Sequence, residues 1–328
     1  MVNIDVVVNL LVAAVLAGTP LLFGTLGEIL TEKSGNLNLG VEGIMFMGGV
    51  AGLAGAYYYE QAVSSPSGIL ALIIAVVCAF VCGSFGAAIF SLLTVTLRAN
   101  QNVTGLALTI FGTGFANFFG EVMANQSESG YAAVGDTVKA AFAGLHIPVL
   151  SDIPYVGKLL FSYNILVYLG IALAVAMAWF LRRSRKGLSL RAVGENPQTA
   201  DAAGINVTRY KYLATCIGGG IGGIGGMYVV MVTCGGTWVH DCVGGKGWIA
   251  VALVIFAMWS PARALIGSLV FGALSIMRLY VSLGIPTQLY DTLPYVATVL
   301  VLIFVSFKHK RENQPPASLG NPYFREER

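Results

Sequence analysis

Charge is what this chain has least of. Charged residues make up 11% of its 328 positions, against about 25% in ordinary soluble domains. Histidine is almost missing, with His146, His240 and His309 far apart, which argues against a metal site. The five cysteines form no CxxC pair and lie in or beside apolar stretches, as small packing residues do. No Ser/His pairing or HExxH motif sits within an apolar run, which argues against an intramembrane hydrolase. Lys+Arg 19 against Asp+Glu 16 leaves a net charge of +3, too little for a general attraction to nucleic acid. What remains is apolar: 56% of residues are hydrophobic, 41 are glycine and the mean hydropathy is +0.76. No water-soluble fold of this length hides that much apolar surface, so lipid is the solvent.

Gaps between charges outline the architecture. Stretches 6–27, 43–59, 61–97, 99–120, 159–181 and 212–240 carry no Asp, Glu, Lys or Arg, and shorter ones follow to 307. A span needs about 20 apolar residues. The expected fold is therefore an all-α polytopic bundle of about nine spans (eight to ten), some broken or re-entrant. They fall near 6–26, 39–58, 69–96, 103–123, 162–181, 212–233, 247–260, 264–283 and 292–307. The third either tilts or breaks near Gly83-Ser84. Basic residues in 182–211, in the tail after Phe307, and at Arg98 and Arg263 all fall on one side, which the positive-inside rule makes the cytoplasm. That leaves the N-terminus and loop 124–161 outside. MVNID lacks the n-region and cleavage site of a signal peptide, so the first span is expected to be retained. Residues 1–307 form the membrane domain, and 308–328 read as a solvated polar tail with no fold of their own.

Three segments depart from plain apolar helix. Glu32-Lys-Ser-Gly-Asn36-Leu-Asn38-Leu-Gly40-Val-Glu42-Gly43 brings polar groups and glycines to the start of span two. Asp241-Cys-Val-Gly244-Gly-Lys-Gly247-Trp248 does the same at span seven, from the opposite side. Irregular backbone at membrane depth survives where protein or a water-lined cavity satisfies it, and a matched pair of glycine-interrupted starts suggests an inverted repeat around a central pathway. The polar groups entering the bilayer, Asn36, Asn38, Glu42, Asn102 and Asn117, are the pathway candidates. Phe111, Phe115 and Phe118 on span four either pack or face an aromatic solute. The third segment, 187–206, reads as a short helix outside the membrane: Asn196 caps it, Pro197 opens it and Gly204 stops it. Gly220–Gly225 matches GxGxxG, but no strand–turn–helix unit surrounds it. Its four-residue glycine spacing marks close helix packing instead. The GxxxxGK[ST] phosphate loop is absent from GGKGW, so ATP binding by this chain is not expected.

Gly194-Glu195-Asn196-Pro197 followed by Ala202-Ala203-Gly204-Ile205-Asn206 resembles the cytoplasmic coupling loop of ATP-binding-cassette (ABC) import permeases of the branched-chain amino acid, ribose and nucleoside group. Leu26-Gly-Glu28, the segment Glu32–Gly43, Thr19-Pro20-Leu21 and Gly244–Trp248 resemble the nucleoside-type branch, and the likeness covers roughly 8–307. Where the group reads Glu-Ala-Ala, this chain has Asp201-Ala-Ala203, an acid shortened by one methylene. The resemblance implies a non-enzymatic permease subunit in a bacterial plasma (inner) membrane. It implies pairing with itself or a sister permease, cytosolic ATPase subunits that carry ATP and Mg, and an extracytoplasmic solute-binding protein. No cofactor is expected on this chain. Glu195, Asn196, Pro197, Asp201, Ala203 and Gly204 would contact the ATPase. A nucleoside is the first expectation for the solute, with a sugar or other small solute as the alternative. An ion-coupled secondary transporter is the rival class, with Glu42 and Glu121 as its few candidate acids.

Overall fold

The computed structural model describes residues 4–127, 130–145, 151, 153–280, 286, 289–290, 292–306 and 314–324. Among these there is no strand. An isolated antiparallel bridge joins Ala133 to Thr237. The main helices are α1 (Ile4–Glu32), α2 (Val41–Ala62), α3 (Gly68–Ser91), α4 (Gln101–Gln126), α7 (Ile165–Arg183), α10 (Val207–Tyr228), α11 (Lys246–Phe256), α12 (Pro261–Tyr280) and α13 (Leu293–Ser306). Short helices α5 (Asp136–Phe142) and α6 (Val156–Phe161) lie in the long loop, and α8 (Arg185–Glu195) and α9 (Pro197–Ala202) follow α7. Both α3 and α10 run on into a single π-helical turn, at Leu92–Thr96 and Val229–Thr233.

Among the described residues, six helices are long and apolar enough to cross a membrane. The expectation of nine spans is not confirmed, for physical reasons that differ. Helix α2 has the length, but five glycines, three tyrosines and Glu60 dilute its hydropathy. Helix α11 has 11 residues, a rise of only ~16 Å. It stops where Met258 and Trp259 take left-handed backbone before Pro261 opens α12. The alternative of a break at Gly83-Ser84 is not seen, since α3 runs through both residues.

Gly83 instead gives close approach. Ala71, Ala75, Ala79 and Gly83 make a small-residue stripe on α3, while Ile69, Ile73, Val77, Val81 and Phe85 stay exposed on the other side, as lipid-facing residues do. A Cβ on Gly83 would strike the Gly219 carbonyl, and one on Gly223 the Ala79 carbonyl. The glycine run of α10 thus packs as its spacing predicts. Gly218 meets Gly27 of α1, and Gly226 meets Met45 of α2. Helix α1 packs on α12 in the same manner, Gly18 against Ser268 and Gly272 against Ala14. The partner exchange, α1 with α12 and α10 with α3, is what a repeat of (α1, α2, α3) as (α10, α11, α12) would give.

The tail departs from expectation. Residues 314–324 dock on the α8–α9 segment and the first break, with Pro316 buried and Gln314, Pro315, Ala317, Asn321 and Pro322 exposed. Ser318 donates its N–H (3.1 Å) and hydroxyl (2.6 Å) to the Gly194 carbonyl, and the Gly320 N–H reaches the Gly35 carbonyl at 3.2 Å. Tyr323 packs on Val193, Ala200 and Val207 and donates its hydroxyl to Asp201 at 2.7 Å. Phe324 lies under the Arg98 guanidinium, 4.7 Å from the ring centroid.

Candidate functional site

The long helix α1 ends through Ser34 and Gly35, the latter at φ +87, and the chain then runs irregularly to α2. Every turn of this first break is tied down. Asn36 donates Nδ2 to Thr215 (2.9 Å), and its Oδ1 has no partner among the described residues. The Leu37 N–H reaches Gln101 Oε1 at 2.6 Å, the Asn38 N–H reaches Glu28 Oε1 at 3.1 Å, and Asn38 Oδ1 accepts from Gly40 N–H at 2.9 Å. The Leu39 carbonyl takes the Thr109 hydroxyl at 3.0 Å. Glu32, one turn further along α1, accepts from the Trp259 indole. Asn36 and Asn38 are wholly buried, so their backbone and side-chain groups must find such partners.

The second break, Cys234 to Gly245, starts in the region of Leu16, midway along α1. It is linked to the long loop by Val134 N–H to Gly236 (3.0 Å) and Trp238 N–H to Ala132 (2.8 Å). Its last residues reach inward along α4. Trp238 sits against Gly120, and Asp241 exchanges two bonds with Asn117, Nδ2 to Oδ1 at 2.9 Å and backbone N–H to Oδ1 at 3.3 Å. Gly244 and Gly245 both have positive φ, which lets the chain turn into α11.

The two breaks meet at Glu42. Its carboxylate accepts from Gly245 N–H at 2.7 Å and Gly247 N–H at 2.5 Å. It therefore occupies the first turn of its own helix and caps the first turn of α11, satisfying donors that a helix start leaves free. Gly247 has no room for a Cβ, because the Glu42 backbone fills that space. Two backbone N–H groups, rather than a cation, thus partner the Glu42 carboxylate.

The other candidates separate. Asn117 joins this cluster through Asp241. Asn102 does not, being exposed at the start of α4, while its neighbour Gln101 points into the first break. Phe111 and Phe118 are half-exposed or more, and Phe115 is partly buried with Phe119 at 4.6 Å between ring centroids. Sequence reasoning missed Glu28, Glu32, Gln101, Thr215, Trp259 and Asp241 as partners. A signal existed for Gln101. Gln101, Thr104, Leu108 and Gly112 recur at helical spacing and form the buried face of α4.

The ends of the bundle sort as the basic loops foretold. Arg98, the tail, the α8–α9 segment, Arg263 and the first break share one end. Lys33, Arg191, Glu195 and Arg263 are close enough there to act on each other's charge. Burial first, then the Arg191 cation, lowers the Lys33 ammonium from its ordinary value, with Glu195 opposing. At this end α9 forms as read. Asn196 Oδ1 accepts from Thr199 N–H at 2.9 Å, Pro197 opens the helix, and Gly204 closes it at φ +82. Ala200 anchors it inward, while Glu195, Asn196, Ala203 and Gly204 are exposed, Pro197 and Asp201 are partly so, and nothing crowds Gly204.

With this geometry in view, comparison with known proteins identifies the class. Residues 10–302 match the family model of the branched-chain amino acid transport system / permease component, and the chain belongs to that family. It is 34% identical to a Haloferax volcanii protein named "Putative glucose ABC transporter permease protein TsgC13", over 97% of this chain and 98% of that one. It is 32% identical to the guanosine ABC transporter permease protein NupQ of Bacillus subtilis, over 98% of each chain. It is 30% identical to the nucleoside ABC transporter permease protein NupC of Lactococcus lactis, over 90% of each. The chain is a multi-pass membrane protein and a permease subunit of the ABC transporter type, with ATPase and binding-protein partners implied in general.

Proposed function

We propose that this permease carries a small uncharged polar solute, a nucleoside before a sugar, handed to it by an extracytoplasmic binding protein. The observation that carries the reading is the meeting of two helix breaks at Glu42, with the Asn117–Asp241 pair beside it. Broken helices whose starts converge within a bundle are the usual solute-binding device of transporters. Asn36, with its unpartnered Oδ1, Asn117 and Asp241 supply hydrogen-bonding groups, and Phe111 and Phe115 of α4 offer faces for a base. Asn38 and Glu42 hold the breaks in shape. Relatives named for nucleoside, guanosine and glucose support either solute class. Uptake of labelled guanosine, adenosine and glucose by cells expressing the complete transporter tests it. Competition by nucleosides and not by glucose is expected, and the reverse order would reassign the solute.

In this reading α9 rests on a cytosolic ATPase, which binds ATP and Mg, and the N-terminus faces outside. The exposed, unstrained Ala203 is the place to test docking. Ala203→Trp should abolish co-purification of the ATPase by overfilling the contact while leaving membrane abundance unchanged. Full recovery of the ATPase would remove α9 from this role. Orientation is tested separately. A cysteine at Ser151 in a cysteine-free background should react with an impermeant thiol reagent from outside, and one at Ser189 only after the membrane is opened.

A further inference from the structure

A cleft of about 830 Å³ opens between the π turn that ends α3 and the first turns of α10, with α9 and Tyr323 along one side. Lys211 lines it. This lysine is 2% exposed and has no hydrogen bond or ion pair to any described residue. An ammonium taken out of water without a counter-charge costs several kcal/mol, and among the described residues none supplies Lys211 with one. The surroundings agree. Arg209 and Arg98 reach the same cleft, and the start of the 22-residue α10 adds its positive end. Among the described lining residues the acid is Asp201, and Tyr323 already donates to it. Thr96 and Tyr212, bonded to each other at 2.5 Å, offer hydroxyls at the rim.

We infer that this cleft is a binding site for a phosphate-bearing anion, with Lys211 as its buried contact and Arg98 and Arg209 as its outer ones. The source of the phosphate is a lipid headgroup or free phosphate. Geometry favours the lipid, because Leu213, 50% exposed, lines the cleft, and Leu97, 65% exposed, stands in the chain between its lining residues Thr96 and Arg98. Basic pockets between helices at the cytoplasmic surface are suited to anionic headgroups. The inference does not depend on which solute is carried.

The test is native mass spectrometry and thermal unfolding of the full-length chain in detergent, titrated with phosphatidylglycerol, phosphatidylcholine or inorganic phosphate. Phosphatidylglycerol should be retained over phosphatidylcholine and should raise the unfolding temperature. Lys211→Met and Arg209→Gln should each weaken that binding about fivefold. Arg209 is exposed, so its variant keeps the test open if Lys211→Met folds poorly. Stabilisation by inorganic phosphate but not by the lipid, lost in both variants, would assign the same site to free phosphate. Equal lipid binding by wild type and both variants would overturn the inference. So would no response to either probe combined with loss of ATPase association in Lys211→Met, since the anion would then be a partner's carboxylate.

Discussion

The two helix breaks do similar geometric work with opposite materials. The first, 33–40, is buried and cross-tied by side chains from α1, α4, α10 and the turn before α12. The second, 234–245, is glycine-rich and partly exposed, and among the described residues its inner end is held mainly by Glu42 and Asn117. Local stability follows the density of such ties. The contrast teaches that, in the proposed site, the first break carries the denser ties and the second the sparser, with Glu42 the link between them.

Breaking that link should have the largest effect. Glu42→Ala leaves two helix-start N–H groups without their charged acceptor and should cost about 3 kcal/mol, with uptake lost. Thermal unfolding of the purified variant and transport in cells check it. A variant as stable as wild type would show that α11 does not depend on this cap. Next comes the first break. Asn38→Leu removes the acceptor for the buried Gly40 N–H and should cost ~1–3 kcal/mol, so membrane abundance and uptake should fall together. Lost uptake at normal abundance would instead make Asn38 a solute contact. The smallest effect on stability is expected in the second break. Asp241→Asn, at a side chain 62% exposed, should change stability by no more than ~0.5 kcal/mol yet raise the KM for uptake. An unchanged KM would take the Asn117–Asp241 pair out of the solute's path.

Much of this was legible from local signals. Asn196, Pro197 and Gly204 each act within a few residues of themselves, so α9 could be read directly. Glycines spaced by four on α10 announced packing for the same reason. The charge-poor runs marked the spans, and the basic residues gathered at one end as expected. What was not legible depends on partners distant in sequence. Tyr323 meets Asp201 across 122 residues, and nothing in a polar tail announces that contact. Asn102 and Gln101 are adjacent and chemically alike, and only the phase of α4 decides which one enters the break. Glu28 and Glu32 follow the long charge-free run 6–27, and nothing local to them announces that the fold buries both.

The charge on Glu42 has a consequence for what can pass. Helices α2 and α11 both begin beside it, each start carrying about +0.5 of an elementary charge, and one carboxylate cancels the pair. Lys246 and Asp241 balance each other a few residues away. In the proposed pathway such a passage would be electrically neutral as a whole and would offer a phosphate no counter-charge to replace its water. A nucleoside monophosphate should therefore compete for uptake far less well than the parent nucleoside, and the membrane would retain phosphorylated forms in the cell while admitting the bare ones. Equal competition by the two would refute this neutrality.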